Sequence, residues 1–196
     1  MSDPERVMSA DVAGLAAAIE RAAADLAVAE EPAGFVVAIA VSAVTDWTVE
    51  TLVHSIATRK ISPVEATREC LNRIERLDGN IHAFITIDAD GALAAARSLE
   101  AELAAGLSRG PLHGVPLAYK DLCHVPGLPT SCGTRTRDYF MSPIECTAVA
   151  RLREAGAVTL GKLNMSELAL GPFGDNAHHG DVQNPRFSGR GGPVIG

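Results

Sequence analysis

The stretch GVPLAYKDL, residues 114–122, sets Lys120 at the end of the apolar run Val115-Pro116-Leu117-Ala118-Tyr119. The run is short and bounded by turn residues, which is the pattern of a buried strand. Lysine normally keeps its charge in water. A lysine that closes a buried strand has two options. It can snorkel its ammonium to an acid, with Asp121 the nearest in sequence, or it can be desolvated, lose its charge and become a base. The residues alone leave both open.

Outward from this strand the chain alternates between two periods. Upstream, TVETLVHSIATRK places Val49, Leu52, Val53 and Ile56 on one helical face, with Thr48 and Thr51 near the cap. SPVEATRECLNRIERLD repeats the device, with Ser62 as N-cap, Pro63 at the first helical position and Val64, Thr67, Cys70, Leu71 and Ile74 on the apolar face; Asp78-Gly79 is the expected stop. IHAFITI (81–87) alternates as a strand, and DADGALAAARSLEAELAAG reads as a helix capped near Asp88 or Asp90 and closed by Gly106. Downstream, IECTAVARLREAG is a helix ending at Gly156 and AVTLGKLN the strand that leaves it. Helices alternating with short apolar strands make the fold class α/β, a mixed sheet covered by helices.

The two ends differ from this middle. Residues 9–29 are alanine-rich with helical spacing, and residues 33–44, AGFVVAIAVSAV, are an apolar run that fits a strand or a short helix. Residues 1–45 are therefore expected to form a helical N-terminal extension. After Gly171 glycine, proline, asparagine and aspartate dominate and no apolar period survives, the mark of a long functional loop or of part of something larger.

Charge and composition exclude several classes. With 24 acidic against 17 basic residues the net charge is −7, which argues against a general affinity for nucleic-acid backbones. The opening MSDPERV lacks a basic n-region, and the apolar run 33–44 is too short to span a bilayer, so a cytoplasmic protein without a membrane segment is expected. Cys70, Cys123, Cys132 and Cys146 have no C-x-x-C or zinc-type spacing and read as free thiols; Cys132 could be a nucleophile, but no helper is placed beside it. His178 and His179 invite a metal, yet adjacent histidines point apart and no further ligand has suitable spacing, so they read as loop residues, as does His113 at its turn. GRGGP near the C-terminus matches no phosphate-binding fingerprint. Neither a metal nor a cofactor is expected.

PLHGVPLAYKDL, then GLPTSCGT, then a helix and GAVTLGKLNMSELALG, then QNP, follow one another in an order that resembles the amidase signature family of serine hydrolases. The resemblance covers about residues 46–190 and implies the N-terminal portion of that fold, incomplete, over residues 46–196. It implies a Ser–cis-Ser–Lys triad in which Lys120 is the neutral lysine of a dry site, taking a proton from a serine held by a cis peptide. That serine in turn deprotonates the nucleophile, and an acyl-enzyme forms on a small-molecule amide. The segment matching ELALGPFG lines the family's cleft, which makes Ala169 and Leu170 substrate-wall candidates. A glutamine-hydrolysing subunit of a tRNA-dependent amidotransferase is a competitor within the family, and a non-catalytic remnant or partner-binding fragment is a competitor outside it.

The resemblance fails at one place. The family's glycine/serine segment resembles G-G-S-S-G-G, where this chain reads Gly191-Gly192-Pro193-Val194-Ile195-Gly196. Proline stands where the relay serine is expected, Ser188 is at the wrong offset, and the nucleophile falls beyond Gly196. The expectation is a truncated amidase domain without amidase activity of its own, exposing apolar surface that binds a dye such as ANS. Which amide is bound, and the oligomeric state, are left open.

Overall fold

The structure is a computed structural model, and it describes residues 47–136 and 140–184. The expected helix at 9–29, the apolar run 33–44 and the departure at Pro193 lie outside the described residues. Within them, four α-helices and a three-stranded sheet follow in the order α1 Val49–Ala57, α2 Pro63–Ile81, β1 Phe84–Ile87, α3 Ala89–Ala104, β2 Pro116–Lys120, α4 Thr147–Glu154 and β3 Val158–Leu163, with a 3-10 turn at Glu167–Ala169. The strands lie in the order β1-β3-β2. β1 runs antiparallel to β3 and β2 runs parallel to it, so the sheet is mixed.

Local chemistry sets the helix starts. Thr48 and Thr51 form a reciprocal capping box on α1, and Ser62 and Glu65 form one on α2, with Pro63 inside its first turn. Each box satisfies two backbone donors that a helix start would leave unpaired. On α3 the cap is Asp88, whose carboxylate accepts from the Gly91 amide at 3.1 Å. The end of α2 departs from the sequence reading. The helix runs through Asp78-Gly79 to Ile81, and His82 in the left-handed conformation stops it. The reason is Asp78 itself: its carboxylate reaches past the helix end to accept from the Ala83 and Phe84 amides at 2.7 and 3.2 Å. The strand that follows is shortened accordingly.

Helices cover both sides of the sheet. Val64, Leu71 and Ile74 of α2 and Ala92, Ala96 and Leu99 of α3 pack on Val158 and Leu160 of β3. α1 seals the adjoining corner with Leu52 and Ile56 against Ala66 and Val115. Beneath the opposite face, Val149 and Leu152 of α4 pack with Tyr119, Val125 and Leu128.

A bulge in β3 divides these two environments. Leu117 pairs with Thr159, but Tyr119 pairs with Lys162, so Ala118 alone stands opposite Leu160 and Gly161. One extra residue reverses the alternation of a strand. Val158 and Leu160 therefore face α3, whereas Lys162 lies on the side of Tyr119 and α4. Gly161 sits at the irregularity with φ +154°, and a Cβ there would fall 2.1 Å from the Thr86 carbonyl oxygen. Only glycine admits so close an approach of β1.

Candidate active site

Parallel strands β2 and β3 end side by side, with Lys120 opposite Leu163. The segments that leave their carboxyl ends, 121–134 and 164–170, meet there. In open α/β sheets this is the edge at which ligands bind.

Asp121, the residue after Lys120, is the hub. Its side chain is 1% exposed and pairs with Lys162, which is 0% exposed, at 3.0 Å. The Lys162 ammonium also donates to the Pro129 carbonyl at 2.9 Å and to Thr130 Oγ1 at 3.1 Å. The other carboxylate oxygen, Asp121 Oδ2, accepts from the Ser131 amide at 3.0 Å, the Ser131 hydroxyl at 2.5 Å and the Gly133 amide at 3.2 Å. Three donations from the ammonium and four to the carboxylate leave neither charge unsatisfied. A buried ion pair is tolerated only with bonding of that completeness. Its effect is to bind the turn 129–134 to the end of β2.

A second polar side chain extends the ledge. Asn176, 3% exposed, donates to the carbonyls of Gly133 at 2.8 Å and Met165 at 2.7 Å, while its own oxygen accepts from the His178 and His179 amides at 2.8 and 3.0 Å. The described part of the stretch after Gly171, residues 172–184, is thus tied to the sheet edge through one buried amide. The Leu168 amide donates to the Cys132 carbonyl at 2.8 Å, tying the 3-10 turn to the same ledge.

Lys120 itself is exposed among the described residues. Of the two surroundings that the residues leave open for Lys120, the described residues show the exposed one, and its neighbour Asp121 pairs with Lys162 instead. Successive strand residues point to opposite faces, and so the two cannot share one environment. Ala169 and Leu170 are exposed too, Leu170 at 85%, on a turn where Leu168 and Ala169 take positive φ of 52° and 58°. The chain of bonds from Asp121 through the turn 129–134 to Leu168 places this turn on the same edge of the sheet as Lys120.

His178 and His179 are loop residues, as the sequence reading holds: His178 contacts Glu167 at 3.1 Å and His179 Nε2 contacts the Thr134 carbonyl at 3.1 Å. Among the described residues no group of three His, Cys, Asp or Glu side chains could hold a metal ion. His113 is at a turn but buried, donating through Nε2 to the Leu99 carbonyl at 2.9 Å and accepting the Arg109 amide at 3.0 Å on Nδ1. Sequence reasoning missed Lys162 and Asn176. A signal for Lys162 exists, since it interrupts the apolar strand AVTLGKLN much as Lys120 closes its own.

The family described as Amidase matches residues 65–192. The chain belongs to the amidase family. Its match ends at Gly192, one residue before Pro193. Over 134 residues the chain is 47% identical to a glutamyl-tRNA(Gln) amidotransferase subunit from Acidothermus cellulolyticus, covering 68% of this chain and 26% of that protein. A crystal structure of an amidase superposes with a TM-score of 0.66 at 38% identity, covering 70% of this chain and 31% of the other. The peptide amidase of Stenotrophomonas maltophilia gives a TM-score of 0.65 at 32% identity, covering 71% and 30%. The chain thus spans between 26% and 31% of the length of these amidase-family relatives. Among the described residues no helix is long and apolar enough to cross a membrane.

Proposed function

We propose that residues 46–196 are the lysine-bearing part of an amidase that hydrolyses a C–N bond of a small carboxamide. The observation that supports this reading is the position of Lys120, at the carboxyl end of β2 beside a turn fixed by a fully bonded buried ion pair. In this reading Lys120 is the base that withdraws a proton from a relay serine, and Ala169 and Leu170 form part of the substrate wall. A lysine works as a base near neutral pH only where desolvation disfavours its charged form. The described residues leave Lys120 exposed, so the reading requires further polypeptide to cover it. With Pro193 at the relay position, residues 1–196 alone have no amidase activity.

A second reading within the family is favoured by identity. The relatives from Acidothermus cellulolyticus and Aromatoleum aromaticum, 47% and 50% identical, are both glutamyl-tRNA(Gln) amidotransferase subunits. The corresponding substrate is glutamine, and partner chains would follow from it.

The test is a hybrid in which residues 1–192 are joined to the segment of the Acidothermus cellulolyticus relative that follows its matching region. Ammonia release is measured from glutamine and from small carboxamides. The expected result is hydrolysis of one substrate class, lowered about 10²–10⁴-fold in kcat by Lys120→Ala. Full activity in the Lys120→Ala hybrid would remove Lys120 from the chemistry. A folded hybrid that hydrolyses neither class would favour a non-catalytic chain.

A further inference from the structure

A groove of about 250 Å³ lies between α2 and β1, and the amidase reading gives it no role. Cys70, Ile74, Leu77 and Ile81 of α2 line one side, and Phe84 of β1 and Leu160 of β3 line the other. Cys70, Ile74 and Phe84 also pack on the core cluster around Val158 and Leu160, so the groove is an open flank of that core. Leu77 remains 39% exposed. β1 is an outer strand, and among the described residues no further strand lies beyond it. The one carboxylate that lines the groove, Asp78, is already engaged by the Ala83 and Phe84 amides. Apolar surface continuous with a core is normally covered.

We propose that residues 33–44 of this chain, AGFVVAIAVSAV, dock in the groove and complete the core on that side. Chain connection selects this occupant. A second groove, of about 260 Å³, adjoins the first on α2, and Trp47 lines it together with Ile61, Glu69 and Asn72. Glu69 and Arg73 stand four residues apart on one helix face, about 6 Å from each other, and Arg73 lines the first groove. Only Thr45 and Asp46 separate Val44 from Trp47, and two residues reach about 7 Å. Val44 therefore falls at the mouth of the first groove. From there Cys70 and Ile81 lie roughly 17 Å apart along α2, a span that residues 33–44 cover whether helical, at roughly 18 Å, or extended, at up to roughly 40 Å. The run carries no charged side chain, as lining by four apolar α2 and sheet residues requires. Leu170, exposed at the carboxyl edge of the sheet, is already taken by the substrate wall of the amidase reading.

Cys70 makes the docking observable. Its thiol is free and half-buried in the groove wall. With residues 33–44 in place, a bulky reagent cannot reach the sulfur. Without them the groove is open, and alkylation at constant pH quickens.

The experiment uses the whole 196-residue chain. Photoreactive benzoylphenylalanine replaces Leu77 in one sample and Leu170 in another, and the peptides joined on irradiation are mapped by mass spectrometry. The expected product links position 77 to residues 33–44 of the same chain, with no such link from position 170. In parallel, alkylation of Cys70 by a bulky maleimide is timed in the native chain and in the triple variant Phe35→Asn, Val36→Asn, Ile39→Asn. Its rate is expected to rise about tenfold while that of Cys123, on the other side of the sheet, stays unchanged. Should Cys123 quicken as well, the variant has unfolded and the crosslink alone decides. A position-77 crosslink that joins two chains overturns the proposal in favour of a second copy. A crosslink to another segment, or none, overturns it too, as does an unchanged Cys70 rate in the triple variant.

Discussion

At the scale of single residues, the lysine visible in the sequence and the lysine that the fold buries are different. Lys120 attracts notice because an apolar run leads into it, yet it is exposed; Lys162 sits inside an apolar strand and is completely buried. Alternation alone would put Lys162 with Val158 and Leu160, on the face that packs against apolar helix side chains. Its true surroundings depend on an extra residue in the strand, and a bulge is a property of the pairing between strands, invisible in either strand by itself. The pair has a measurable consequence. Asp121→Asn leaves the Lys162 charge buried without a counter-charge, and the expected loss is about 3–5 kcal/mol in urea unfolding. Combining it with Lys162→Met should recover a good part of that loss, because both charges are then gone. A double variant whose loss equals the sum of the losses in Asp121→Asn and Lys162→Met alone would mean that the two groups are not coupled.

At the scale of elements, the helices are legible in the sequence and the loops are not. Thr48, Ser62, Pro63 and Asp88 announce helix starts through side chains that bond within three residues, so local sequence contains all the information needed. The end of α2 lies beyond the expected stop because Asp78 acts on the amides of Ala83 and Phe84 past the helix. Residues 172–184 show no pattern because their placement rests on Asn176 bonding to residues 133 and 165, which no periodicity reports. Among the strands, the β3 bulge depends on Gly161. Gly161→Ala should part β1 from β3 and return Lys162 toward the helical face, for a loss of about 1–3 kcal/mol from strain alone. The measurement is the urea midpoint of the variant. An unchanged midpoint would show that the Thr86 carbonyl moves aside freely.

At the scale of the whole molecule, the family and the α/β class can be read from the order of motifs, whereas the shape of the exposed surface cannot. Ile144, Leu168, Leu170 and Phe173 are all more than half exposed, with Leu122 exposed beside Lys120. Apolar surface of this kind is normally covered. The chain should therefore bind ANS strongly while retaining a near-ultraviolet circular dichroism signal, because its three apolar clusters are packed. Strong dye binding with that signal lost would instead indicate a collapsed state without fixed packing. Weak dye binding would mean that the exposed residues find cover by self-association, which sedimentation would detect.

The Asp121 carboxylate also reaches outside the sheet, into the turn 129–134, through the amides of Ser131 and Gly133. Turn amides usually trade their hydrogens for deuterium quickly, since small local openings suffice. These two are tethered to a charge that cannot be released without hydrating Lys162 as well. Their exchange should therefore be as slow as that of the central strand β3, making two positions in an irregular turn reporters of the opening of the entire domain.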